Sequence, residues 1–365
     1  MEMTPATSRG AALAVAGSLA LLMIATILLS RAYVHTRISR AEALYDEGIQ
    51  LAGRGHSAQA AEDFRAALVY EHNNEKYRMA LARSLMELGR LDEAETHLTD
   101  LRADDPTNGQ INLMLARIAA RDHHDNDAVT YYQRAIYGFW PEHATESRIS
   151  ARLELTGVLQ RENKPHQVLA QLLDLASETP ANDTPTRRRL ATLLLANGSP
   201  QHAAEIYQAM LKTDRRDAAA EKGLGDTKYA TGDFAGARKA YQEAQRDGLN
   251  DPSLDRAIAD CTRILELDPT LVNLRANDRF ERARVLLQLA ADEAQRCGSL
   301  PADSQTETTR LLQEKPAKRQ DGDVVEMLGM AVRFGTIGRS CAQAAPGAAL
   351  SAVLAKIQRQ MAAAQ

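Results

Sequence analysis

Aromatic side chains are scarce in this chain: one Trp, five Phe and ten Tyr make up 4% of its 365 residues. A core with so few rings is built from Ala and Leu, which suits helices packed closely on helices. A basic excess is missing as well. The net charge of −4, with 25% of residues charged, describes a surface of mixed sign. It lacks the basic stripe or interleaved aromatic platform that nucleic-acid binding requires. Alternation of apolar residues with period two is nowhere sustained, which excludes a sheet. The three cysteines stand at no diagnostic spacing and define no disulfide framework.

Long uncharged apolar runs occur once, at residues 11–30. Twenty helical residues at ~1.5 Å each span the ~30 Å hydrocarbon layer of a bilayer. A cleaved signal peptide needs a shorter run and a small-x-small site. Ser30, Arg31, Ala32 and Tyr33 make a poor one, so an uncleaved transmembrane anchor is expected after a tail of residues 1–10. Arg31, Arg37 and Arg40 stand after the span and Arg9 precedes it. By arginine counting, that distribution favours the cytoplasmic side for the long carboxy-terminal part.

From residue 41 onward the sequence is periodic. Blocks of 34 residues begin at Ala41, Glu75 and Gly109 and carry the same small and large residues at the same offsets. The eighth and twentieth positions are small (Gly48 and Ala60, Ala82 and Ala94, Ala116 and Ala128). The twenty-fourth is large (Phe64, Leu98, Tyr132), and the fifteenth is a turn (Gly55, Gly89, His123). After an interruption at residues 143–148, weaker copies run over 149–182, 184–217 and 218–251. A solitary helix at 252–269, with Cys261 buried in it, is expected to cap the end.

These offsets resemble the tetratricopeptide repeat family, although its tryptophan at position four is replaced by Leu44, Arg78, Asn112, Arg152, Arg187 and Glu221. The resemblance implies an all-α fold: an α-solenoid of about six helix pairs over residues 41–251, followed by the capping helix. It also implies a concave groove lined by positions two, five, nine and twelve of each first helix. Those positions hold Glu42, Tyr45, Ile49 and Ala52, then Lys76, Met79, Arg83 and Met86, then Gln110, Leu113, Arg117 and Ala120. The later repeats add Arg188, Lys222, Asp226 and Tyr229. Basic heads alternating with Met, Leu and Tyr suit a protein or peptide ligand with acidic and apolar residues. The family's clamp for chaperone tails wants Lys and Asn where Tyr45 and Ile49 stand, and is excluded. Anchored bacterial proteins of this kind display their repeats outside the cytoplasm, which shifts the expectation for the array to the extracytoplasmic side.

Residues 270–365 read as a helical appendage docked on the last repeat, with helices at 279–296, 307–314, 324–334 and 349–361 and a polar loop at 299–306. A partner-binding tail is the alternative. Cys297 and Cys341 flank this fold-back, and a disulfide between them is expected if the region lies outside the cytoplasm.

No catalytic constellation, metal site or cofactor motif stands out. The run Asp-His-His-Asp-Asn-Asp at 122–127 sits in a turn, where short polar residues cap the next helix. Gly335 and Gly338 have no strand before them to form a phosphate loop. The chain therefore reads as a non-enzymatic, membrane-anchored scaffold whose contacts are protein and bilayer, with no nucleic acid or small-molecule substrate. The alternatives are a structural or quality-control subunit of a membrane assembly and, more remotely, a repeat-bearing transferase.

Overall fold

The computed structural model describes residues 6–296, 298, 302–314, 321–339 and 347–363, the backbone alone at 6–15, 302, 321, 338 and 339. Cys297 and Cys341 lie outside the described residues. Those residues fold into helices throughout, with no strand among them, in two compact units, residues 1–178 and 179–365.

The first unit holds α1 (Ala6–Gly53), α2 (Ser57–Tyr70), α3 (Glu75–Glu87), α4 (Leu91–Asp104), α5 (Gly109–Arg121), α6 (Asp125–Tyr137), α7 (Ala144–Arg161) and α8 (Pro165–Glu178). Sequence expectations treat the anchor and the first repeat helix as separate pieces. They are one uninterrupted helix, because no Pro or Gly falls between Ala32 and Glu47 to end it. The interruption between the third and fourth copies is also earlier than expected. Residues 144–148 are already helical, and the irregular stretch is 138–143.

The turn position explains the local fold. Gly55, Gly89, His123, Asn163, Gly198 and Gly232 occupy it in six successive helix pairs, and all six have positive φ, between 54° and 87°. That left-handed conformation turns the chain from one helix into its antiparallel mate. His123 (φ 59°) therefore fills a glycine position, which accounts for half of the histidine pair in the 122–127 run. The expected capping role is corrected in part: His124 precedes α6 without a side-chain cap, and Asp125 is bonded instead to Arg161 at 2.7 Å. No cluster suited to a metal ion occurs among the described residues. A β-carbon in the left-handed region costs roughly 1–2 kcal/mol, so His123→Gly should stabilise the first unit by about 1 kcal/mol in urea unfolding. Destabilisation would contradict this assignment.

Between the helices of a pair, the small eighth position meets the large twenty-fourth. A β-carbon on Gly48 would lie 2.6 Å from the Phe64 ring, and one on Gly225 would lie 2.5 Å from that of Tyr241. Phe64, Leu81, Leu85, Leu98, Ile111 and Leu115 form the buried centre of the first unit.

The second unit holds α9 (Thr184–Ala196), α10 (Pro200–Thr213), α11 (Ala218–Thr231), α12 (Phe234–Arg246), α13 (Pro252–Leu267), α14 (Ala276–Arg296), α15 (Ala302–Gln313), α16 (Asp321–Arg339) and α17 (Ala348–Ala363). Pro200 and Pro252 open their helices, where a missing N–H costs nothing, and Asp183, Asp217, Asp233 and Asp251 cap theirs. Residues 302–306, expected in a loop, belong to α15.

Cys261 is fully buried, and burial pushes its thiol up to about 11. The helix that carries it, α13, does not close the stack. Ile264 packs in one core with Phe280, Leu286, Met327, Phe334, Val353 and Ile357 of α14, α16 and α17. From α17, Lys356 reaches the wholly buried Asp268 at 2.6 Å, which fixes the last helix on the end of α13. The appendage is thus docked.

Candidate functional site

Two clefts open on the first helices of the first unit. The first is about 740 Å³ and runs from Arg83 and Met86 on α3 across Gln110, Leu113, Met114, Arg117 and Arg121 on α5 to Glu146 and Ser150 on α7. Its far wall is the irregular stretch 138–143. Phe139 N–H donates to Thr107 O at 2.8 Å and Gly109 N–H to Phe139 O at 2.9 Å, a single bridge that straps this stretch to the start of α5. The strap sets Trp140 against Gly109, where a β-carbon would come within 2.3 Å of the indole, and Trp140 Nε1 donates to Ala135 O at 2.8 Å. The chain's one tryptophan is therefore a fixed wall of the cleft.

The basic heads differ in what they are free to do. Arg117 forks onto Glu154 at 2.9 and 2.7 Å, and Tyr132 and Ser150 hydroxyls donate to the same carboxylate at 3.1 Å each. Arg121 donates to Met86 O at 3.1 Å. Arg83 is exposed and has no ion pair or hydrogen bond among the described residues. Glu87, Glu142 and Glu146 share the lining, so the cleft is of mixed sign, with a Met–Leu–Trp floor.

Burial favours a raised carboxyl at Glu154, but the hydrogen bonds and charge of Arg117, then Tyr132 and Ser150, hold it below its ordinary 4.5. A depressed folded value contributes stability above the unfolded value, and that contribution is lost as pH falls through the folded one. Melting of the chain should therefore decline as pH drops below 4.5. Glu154→Gln should make that acid-side decline shallower. An unchanged slope in the variant would show that the Arg117 fork carries no linkage.

The second cleft, about 780 Å³, is lined by Ile38, Glu42, Tyr45, Asp46, Glu71, Asn74, Glu75, Lys76 and Tyr77. Four carboxylates surround one lysine here, an arrangement unlike the basic groove expected from the offsets. Tyr45 is half-buried and meets the rings of Phe64 (centroids 5.7 Å apart) and Tyr77 (5.0 Å) at tilted angles. Burial, then Glu71, Glu42 and Asp46, push the Tyr77 phenol up to about 12. Ile49 is exposed, whereas Met79 is buried in the core and lines neither cleft.

The remaining expected groove residues lie in the second unit. Arg188 binds Asp217 at 2.9 Å, Lys222 binds Asp226 at 3.3 Å, and Tyr229 packs edge-on against Phe234 at 5.2 Å beside the docked appendage. Offset reasoning missed Trp140, Arg121 and Glu146. The insertion that breaks the 34-residue period, carrying the only Trp, was their one visible signal.

Residues 51–118 and 194–261, one segment in each unit, match the tetratricopeptide repeat family model. Among curated proteins none matches the chain. Similar solved structures include YrrB, a tetratricopeptide protein with an unusual peptide-binding site. It is 17% identical over 54% of this chain and 98% of its own, with a TM-score of 0.42. Pseudomonas aeruginosa PilF is 16% identical over 62% and 99%, TM-score 0.43. PilW, a type IV pilus biogenesis factor, is 15% identical over 60% and 98%, TM-score 0.42. Four of the six left-handed turns, at Gly55, Gly89, Gly198 and Gly232, and the contact of Gly225 with Tyr241 fall inside the matched segments, and these two segments are tetratricopeptide repeats, a fold that supports contact between proteins.

Proposed function

We propose that the chain is a single-span membrane protein that holds a partner protein by a peptide segment laid in the Arg83–Trp140 cleft. The observation that carries this reading is that cleft: a fixed aromatic wall, an apolar Met86–Leu113–Met114 floor and an arginine with no partner among the described residues. Such a combination anchors an apolar side chain and steers a carboxylate beside it.

The anchor reading rests on α1. Within it, residues 16–53 are long and apolar enough to cross a membrane, with a mean hydropathy of 1.7 and none of the apolar window buried against the rest of the chain. Leu21, Leu22, Met23, Leu28 and Leu29 are each more than 60% exposed, a cost in water that a bilayer removes. The repeats are proposed to face the extracytoplasmic side. Protease added outside intact spheroplasts should then degrade them.

The full-length chain should stay in the membrane pellet through high salt and alkaline carbonate. Release by carbonate, or a mature amino terminus beyond Ser30, would rule out the anchor. Co-purification from detergent-solubilised membranes, with the recovered partner identified, tests the scaffold role.

A further inference from the structure

Beyond the partner cleft, the membrane-proximal end of the first helix pair has a site of its own. A third cleft of about 420 Å³ lies between α1 and the end of α2, lined by Tyr33, Thr36, Arg37, Arg40, Val69, Tyr70 and His72. Arg37 donates to Tyr70 O, which brings the carboxy-terminal end of α2 back to the level of α1 just past the apolar run. We propose that this cleft binds the phosphate headgroup of an anionic phospholipid, an inference that rests on the membrane-anchor reading of α1.

Three observations point there. The first is height. Because α1 continues unbroken from the apolar run, Tyr33 and Arg37 stand ~5–10 Å beyond Ser30 along the axis, within the headgroup layer. Helical side chains lean toward the amino terminus, so those of Arg37 and Arg40 incline toward the bilayer.

Charge is the second. Arg31, Arg37 and Arg40 form no ion pair among the described residues, whereas Arg117, Arg152, Arg161 and Arg188 each do. His72 adds an imidazole edge with a ring N–H donor, and no carboxylate lines the cleft. The third is apolar exposure at the same level. Val69 is 81% exposed and Tyr33 67%, an aliphatic side chain and an interfacial ring where a bilayer surface would cover both. The site also gives arginines just past a span a role when the array lies outside the cytoplasm, where the positive-inside rule leaves them unexplained.

The test uses the full-length chain in a neutral detergent, with phosphatidylglycerol and phosphatidylcholine added in equal amounts and bound lipid counted by native mass spectrometry. The phosphatidylglycerol adduct should exceed the phosphatidylcholine adduct about tenfold. Arg40→Glu combined with His72→Glu should bring the two to parity, with helicity unchanged. If that double variant loses helicity, Arg40→Gln with His72→Gln removes the charge without adding a carboxylate. Parity in the parent chain, or a preference that survives both double variants, overturns the proposal. Displacement of the lipid by excess inorganic phosphate would make the site one for free phosphate and overturn its lipid assignment. A chain that carbonate releases and that stays soluble without detergent fails earlier, at the anchor, and is told apart by that solubility.

Discussion

A full-length chain carrying Arg83→Glu will recover its partner at least tenfold less efficiently than the parent, while folding as the parent does. Arg83 stands exposed at the rim of the Met86–Leu113–Trp140 cleft and has no internal partner among the described residues. Reversing its charge removes a charge-assisted contact of ~1.5–3 kcal/mol and sets a carboxylate against the ligand's own. Each 1.4 kcal/mol is tenfold in affinity. An exposed helix position of this kind changes stability by no more than about 0.5 kcal/mol, so circular dichroism and melting should match the parent. Arg117→Glu is not an equivalent test. It would press a new carboxylate against Glu154 at the distance of the present 2.7 Å bond and weaken the unit itself. Lys76→Glu is the informative control, because Lys76 already lies among Glu42, Asp46, Glu71 and Glu75 and outside the Trp140 cleft. Undiminished partner recovery by Arg83→Glu would remove the cleft from the proposed function.

The largest loss of stability is expected from Arg152→Ala. Arg152 is 3% exposed, at the fourth position where the family carries tryptophan. Its guanidinium binds Glu178 at 2.9 and 2.8 Å, Asp174 at 3.1 Å and Gln171 at 2.9 Å, all on α8, and lies 5.7 Å from the Tyr137 ring centre. One side chain thereby ties α7 to both its neighbours. Truncation leaves two carboxylates unpaired in the last turn of α8, where the helix dipole already disfavours negative charge, and opens a void.

Breaking a buried pair costs ~3–5 kcal/mol. The side chains of Glu178 and Asp174 keep 35% and 51% exposure, so water offsets part of that and about 3 kcal/mol is expected. For a unit of this size the melting temperature should fall by about 6–12 °C. Arg152→Lys should restore only part, since an ammonium cannot fork onto Glu178. Melting of Arg152→Ala within about 1 kcal/mol of the parent would show that the network contributes little.

Position four shows how far sequence reading reaches. Its departure from the family pattern was visible at Asn112 and Arg152, but not its solution. Asn112 fills the place by donating to Pro106 O at 3.0 Å and Asn108 O at 2.8 Å, and Arg152 by binding carboxylates 22 and 26 residues away. Helix pairing, the turn position and the small-against-large contact were legible because each depends on residues within one 34-residue period. Backbone sterics and van der Waals size act there at fixed spacing, so His123 could be placed in the turn before its φ was known.

The groove was legible in outline only. Offsets placed Arg83, Arg117, Lys222 and Arg188 on first helices. Whether Arg117 and Arg188 are free depends on carboxylates that other elements bring to them, Glu154 at 2.7 Å and Asp217 at 2.9 Å, and that is a property of packing between elements. Lys222 meets Asp226 one turn along its own helix at 3.3 Å, and Arg83 is left. The Trp140 strap and the docking of Lys356 on Asp268 were likewise decided in three dimensions. Each joins segments outside the period, where no repeated spacing announces which residues will meet.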